Sequence, residues 1–172
     1  MDNDPSEFAR LQVLHETGLL RAPPPPEFQA ICQEAQERFG MAMALVTLID
    51  RDWQVISAGV GCDLDRTSRS VAFCDWTIRA DEILVVPDAR RDPRFAENPL
   101  VTGDPFIRFY AGAPLIYLQR IRLGALCIID FRPRDFSLGD RAELAALADR
   151  VVAVIAEREF APPARLGRLA LR

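Results

Sequence analysis

The chain has 172 residues, is 49% hydrophobic, and carries a formal net charge of −4 with an isoelectric point near 5.1. That length suits one domain with a sizeable core and is cramped for two, and an acidic balance with no clustered excess of basic residues speaks against a nucleic-acid-binding surface. All 21 basic residues are Arg, which excludes catalysis by a lysine amine and phosphate binding by a P-loop lysine.

The N-terminus is acidic and has no apolar core segment of a signal peptide. No apolar run approaches the roughly 20 residues needed to span a bilayer, so the expected location is cytoplasmic, without membrane attachment. Cys32, Cys62, Cys74 and Cys127 show no CxxC or Cys/His spacing, and His15 is the sole histidine. No metal site is expected on those counts, and cytosolic thiols are reduced by default.

In chain order, Asp4-Pro5-Ser6-Glu7 predicts a helix start, with Asp4 as cap and Glu7 at the capping-box position. Phe8, Leu11, Leu14 and His15 mark its apolar face, with His15 read as a packing residue, and Gly18 is its stop. Pro23 to Pro26 is a stiff connector, after which Phe28, Ile31, Cys32, Ala35 and Phe39 predict a second helix closed by Gly40. Residues 41–50 and 53–59 read as a hairpin turning at Asp50-Arg51-Asp52. Residues 59–70 read as a loop, Ser70 as the cap of a short helix over 71–80, and Ile83 to Val86 as a brief strand.

The charged segment from Asp88 to Val101 predicts a lid, held down by Phe95, Pro99, Leu100 and Val101. Residues 106–118 and 123–129 read as two strands joined at Gln119 to Arg122, and the second, apolar on both faces, belongs in the centre of its sheet. Ser137 caps a long helix in which Leu144, Leu147, Val151 and Val154 have the three-four spacing of a coiled-coil seam, alongside Leu138 and Ile155. That spacing serves equally for a helix packed on the sheet. Residues 161–172 are expected to form a disordered tail or linker.

Taken in order, ALVTLID (44–50), RSVAFCD (69–75), VVPDARRDPRF (85–95), RFYAGAPL (108–115), LGALCIID (123–130) and the Arg132-Pro133-Arg134 turn resemble a GAF domain, over roughly residues 5 to 160. The resemblance implies one GAF domain over 1–160 of α+β class. Its central antiparallel sheet would have about six strands, with N- and C-terminal helices on one face and loops and short helices forming a ligand pocket on the other. It further implies a sensory module of bacterial signalling proteins, joined to a histidine kinase or cyclic-di-GMP enzyme as output, the chain being free-standing or excised.

Within that family a covalent bilin sits on a cysteine commonly followed by histidine, and no cysteine here has that neighbour. Cyclic-nucleotide binders carry an Asn-Lys motif, and there is no lysine. A free methionine sulfoxide reductase uses cysteines around the pocket. Cys74 resembles one of these and Cys62 is a possible partner, but residues 108–112 lack the other.

The expectation is therefore a non-catalytic domain sensing a small molecule of unknown identity, with ligand contacts from Phe73, Cys74, Trp76, Asp88, Asp92, Phe95, Arg108 and Tyr110. Asp88 and Asp92 serve equally as caps of lid amides, and Arg108 could pair with one of them. The alternatives are a thiol-dependent redox enzyme or sensor built on Cys74 and Cys62, and a structural dimerisation module. A homodimer through 5–17 and 137–158 is expected from the seam, so that Leu147→Glu with Val151→Glu would give monomer.

Overall fold

The computed structural model describes residues 4–160; the expected tail, 161–172, lies outside them. Two helices, α1 (Pro5–Glu16) and α2 (Pro26–Phe39), precede the hairpin β1 (Met43–Ile49) and β2 (Trp53–Val60). There follow β3 (Arg66–Ser68), the short helix α3 (Phe73–Thr77), β4 (Leu84–Val86), the single turn α4 (Pro99–Thr102), β5 (Phe109–Tyr117), β6 (Ile121–Asp130) and α5 (Leu138–Phe160). The strands make one six-stranded sheet in the order β3-β2-β1-β6-β5-β4, every pairing antiparallel. This is the α+β architecture expected of the sequence.

The two central strands, β1 and β6, are apolar on both faces because both faces are covered. Ala44, Val46, Leu48, Leu126 and Ile128 point to the helical side, where they pack with Leu14 of α1, Phe28 and Ile31 of α2, and Leu144, Leu147, Val151 and Ile155 of α5. Met43, Leu45, Ile49, Cys127 and Ile129 point the other way into a second, separate core under α3 and the lid. The close approach of β1 and β6 requires a glycine. A Cβ at Gly124 would lie 1.9 Å from the Thr47 carbonyl oxygen.

α1 differs from its predicted face. Leu14 is buried, but Phe8 is 71% exposed, and the other buried side chain of the helix is Arg10. Asp4 caps as expected, accepting from the Ser6 amide at 2.9 Å. Glu7 does not complete a capping box. Its carboxylate is taken by Arg10 at 2.7 Å and by Arg69 at 2.5 Å, and two guanidiniums outcompete one backbone amide. Arg69 also donates to Asp75 of α3 at 2.8 Å and to the carbonyl of Asp50 at 3.1 Å. One fork thus ties the first helix, the β1–β2 turn and α3 together at one end of the sheet.

The helix α3 is shorter than predicted. Residues 69–71 form a 3-10 turn capped by Ser68 rather than by Ser70, and Ala72 is extended, so the helix starts only at Phe73. Part of the predicted loop at 59–70 is strand, since Arg66 to Ser68 pairs with the start of β2. β5 begins at Phe109, not at Phe106, which is exposed with φ 60. β6 begins at Ile121, directly after a turn in which Gln119 and Arg120 have positive φ.

Ser137 caps α5 as predicted, in a reciprocal pair with Asp140: each side chain accepts from the other's amide, at 3.0 and 2.9 Å. Leu144, Leu147, Val151 and Ile155 are all at most 2% exposed and buried in the helix-side core of the same chain, so their spacing is that of a helix packed on its own sheet. Burial of each such side chain contributes about 1.5–3 kcal/mol, none of it available to a partner subunit. Val154 is half-buried and Leu138 is 83% exposed. Among the described residues no helix is long and apolar enough to cross a membrane.

Candidate functional site

The predicted contact residues fall into an interior group and a peripheral one. Phe73, Cys74, Phe95 and Tyr110 converge between α3, the lid and the sheet, with Trp76 at the rim. Phe73 and Phe95 stack with ring centroids 4.1 Å apart and planes 8° from parallel. Tyr110 meets Phe73 at 5.2 Å, and Trp76 stands edge-on to Phe95 at 6.0 Å. Phe73, Cys74, Phe95 and Tyr110 are each at most 4% exposed, so these side chains fill the space where a ligand was expected. Such offset aromatic pairs add about 0.5–1.5 kcal/mol each to the burial itself. Trp76 is the exposed member, covered by the Arg79 guanidinium 3.8 Å above its ring.

Sequence reasoning missed what makes room for Tyr110. Gly112, two residues along β5 and on the same face, has no side chain because the phenol lies over it. A Cβ there would sit 2.2 Å from Tyr110 Oη and 2.7 Å from Thr77 Oγ1. The alternation of Arg108, Tyr110 and Gly112 held that signal, since a glycine inside a strand marks a close approach.

At the floor of this core the polar atoms satisfy one another. Tyr110 Oη donates to Cys74 Sγ at 3.1 Å and lies 2.6 Å from Thr77 Oγ1. Cys127, on the central strand, belongs to the same buried cluster as Cys74, and the Thr47 hydroxyl of β1 donates to the Ala125 carbonyl at 3.4 Å. Burial opposes a charged sulfur, yet with the Cys127 thiol, the Thr47 hydroxyl and the Tyr110 phenol beside it the Cys74 thiol is held below the ordinary cysteine range. Cys127, beside Cys74 and buried, is pushed well up, as is the Tyr110 phenol by its burial. The expected partner, Cys62, is only half-buried and packs at the margin of this core. The thiol facing Cys74 is Cys127, which no sequence spacing indicated.

The lid is held from both ends. Phe95 and Val101 are buried as predicted, Leu100 is half-buried, and Pro99 faces solvent because it opens α4 at its first turn. Asn98 caps α4 and also donates to the Val71 carbonyl at 3.1 Å, and the Ala89 amide donates to the Arg108 carbonyl at 2.6 Å.

Asp88 and Asp92 face outward. Each caps an amide two residues on, of Arg90 and Arg94, and grips the same arginine's guanidinium, at 2.9 and 2.7 Å. Those side-chain hydrogen bonds hold both carboxyls below the usual carboxylate range. Arg108 pairs with neither; its guanidinium donates to the carbonyls of Val101 and Ile107 at 2.9 and 3.1 Å and so fastens the end of the lid. Asp88 and Asp92 instead line an open groove of about 720 Å³ between the start of the lid and the Pro133–Asp135 turn, where Arg90, Arg91 and Arg134 balance Asp88, Asp92 and Asp135. Among the described residues no group of three or more His, Cys, Asp and Glu side chains is placed to hold a metal ion.

Comparison with known proteins agrees with this architecture. The chain is 39% identical over 128 residues to a cyclic di-GMP phosphodiesterase of Pseudomonas aeruginosa, a match covering 74% of this chain but only 22% of that protein. Among solved structures, the GAF domain of an Acinetobacter phosphoenolpyruvate-protein phosphotransferase superposes with a TM-score of 0.67 at 18% identity, covering 94% of this chain and 98% of that one. A type II free methionine-R-sulfoxide reductase from Thermoplasma acidophilum superposes with a TM-score of 0.61 at 20% identity, covering 90% and 96%. At such identities these likenesses speak to the fold alone. The GAF domain family model matches residues 24–155, most of the chain and all of the sheet, and the chain belongs to the GAF domain family.

Proposed function

We propose that this chain is a non-catalytic regulatory domain of bacterial signal transduction, which senses a small molecule taken up between the lid and the sheet. The observation that carries the reading is the second core. It is separate from the helix-side core, it is covered by the lid residues Ala89, Phe95 and Val101 with Phe95 stacked on Phe73, and its floor presents the Tyr110 and Thr77 hydroxyls. An apolar enclosure with a few convergent polar groups is what small-ligand sites are built from. Here the enclosure is closed on itself, so ligand uptake requires Phe95 to leave Phe73, and binding selects the open arrangement.

The similarity to a cyclic di-GMP phosphodiesterase supports an enzyme of that class as the output partner. The fork of Glu7, Arg69 and Asp75 gives the lid side a direct mechanical tie to α1. A dimerisation role drawn from Leu147 and Val151 has no support, because both are consumed in the chain's own core. The test is native mass spectrometry of protein purified from cells, followed by thermal shift against a nucleotide and metabolite panel. A bound mass, or a stabilising compound whose effect is lost in Phe73→Ala, is expected. Bare protein that no compound stabilises would remove the sensing role.

A further inference from the structure

We propose that Cys74 and Cys127 form an oxidisable dithiol that hydrogen peroxide converts to a disulfide, cross-linking α3 to the central strand β6 beneath the lid. The pairing follows from register and contact. Cys127 lies directly across from Gly112 in the β5–β6 ladder, Gly112 is the position overlain by the Tyr110 phenol, and that phenol donates to Cys74 Sγ at 3.1 Å. The two sulfurs are therefore brought to one buried core from two elements. Both line the core on which the ligand reading rests, but the inference stands whether or not that core takes a ligand.

The Tyr110 phenol donates to Cys74 Sγ and so favours negative charge there, which marks it as the attacking sulfur, since the thiolate is the nucleophile. Its sulfur attacks one peroxide oxygen, the O–O bond breaks, and one water leaves with the proton released, giving a sulfenic acid. The Cys127 sulfur then attacks that sulfenic sulfur, and its own proton leaves with the hydroxyl as a second water. Two thiols lose two electrons in all and the peroxide gains them. The sealed position, with both side chains at most 2% exposed, makes the reaction depend on opening of the lid and protects the disulfide from bulk thiols once formed.

The test is oxidation of the full chain with hydrogen peroxide, followed by alkylation of remaining thiols and peptide mapping without reductant. The expected product is a peptide pair joined through Cys74 and Cys127, reversed by dithiothreitol and still formed in Cys62→Ser. Cys127→Ser should stop at a sulfenic acid on Cys74 that dimedone traps, and Phe95→Ala, which loosens the lid, should speed cross-linking at least tenfold. Oxidation confined to the more exposed Cys62, or a bridge joining Cys62 to either buried thiol in place of the predicted one, overturns the proposal. The wild-type map decides this without any variant.

Discussion

Replacing Phe95 by Ala tests whether one side chain closes the lid-side core. Phe95 is 1% exposed, stacks on Phe73 at 4.1 Å and receives the edge of Trp76. Removing such a ring costs about 3–5 kcal/mol, from lost transfer and from the cavity left behind. A domain of this size has only about 5–15 kcal/mol to lose, so the variant should fold with a much lower urea midpoint. Phe28→Ala, in the helix-side core, should cost a similar amount, which makes it the control. The two should differ in where amide exchange accelerates. For Phe95→Ala the protected amides of Ala89, Phe95 and Asn98 should exchange about 100-fold faster or more, because about 3 kcal/mol is taken from local opening. For Phe28→Ala the lid amides should change only as far as global stability does. A loss below about 1 kcal/mol, or lid exchange unaltered by Phe95→Ala, would refute the idea that this ring holds the lid.

Three further outcomes follow from the same geometry. Gly112→Ala puts a methyl where the buried phenol lies, so it should cost about 1–3 kcal/mol in urea unfolding and break the Tyr110 contact to Cys74. Leu147→Glu should yield unfolded or insoluble protein rather than a soluble monomer, whereas Phe8→Glu, on an exposed position, should stay within about 0.5 kcal/mol of wild type; solubility and circular dichroism decide between them. Glu7 loses solvation on burial, but Arg10 and Arg69 more than compensate and lower its pKa from 4.5 to about 2. Its contribution is therefore complete above pH 4.5 and lost as pH falls toward 2. The stability gap between wild type and Glu7→Gln, measured in urea across that window, should narrow as the pH drops, and a gap that stays constant would refute the assignment.

What the sequence disclosed and what it concealed divide along physical lines. Strand alternation and double-sided apolarity were enough to place β6 at the centre and to pair the two hairpins, because burial on both faces leaves a pattern in every residue; that β1 lies beside it was not read. The fate of the seam on α5 was not legible, since the same three-four spacing suits a sheet and a second helix alike. The orientation of α1 was concealed by Arg10, a charge that becomes buried only because Glu7 and the Arg122 carbonyl, at 3.3 Å, are there to receive it. Phe73, Cys74, Phe95 and Tyr110 were singled out by their type and place in the chain order, and the structure brings them together in the lid-side core. Asp88, Asp92 and Arg108 were equally plausible by type, and their outward capping and carbonyl contacts are decided by local backbone turns. Cys127 was read simply as one residue of a core strand, and only the pairing of β5 with β6 brings it to Cys74.

The central claim is that the lid-side core opens to a small molecule while the helix-side core does not. Two-dimensional NMR of the labelled protein, titrated with the low-molecular-weight fraction of a bacterial lysate, tests it most directly. The account predicts shifted resonances for Phe73, Phe95, Tyr110 and the lid amides, with Leu14, Phe28 and Leu144 unmoved. A spectrum that no fraction perturbs, or one perturbed only on the helical side, would contradict it.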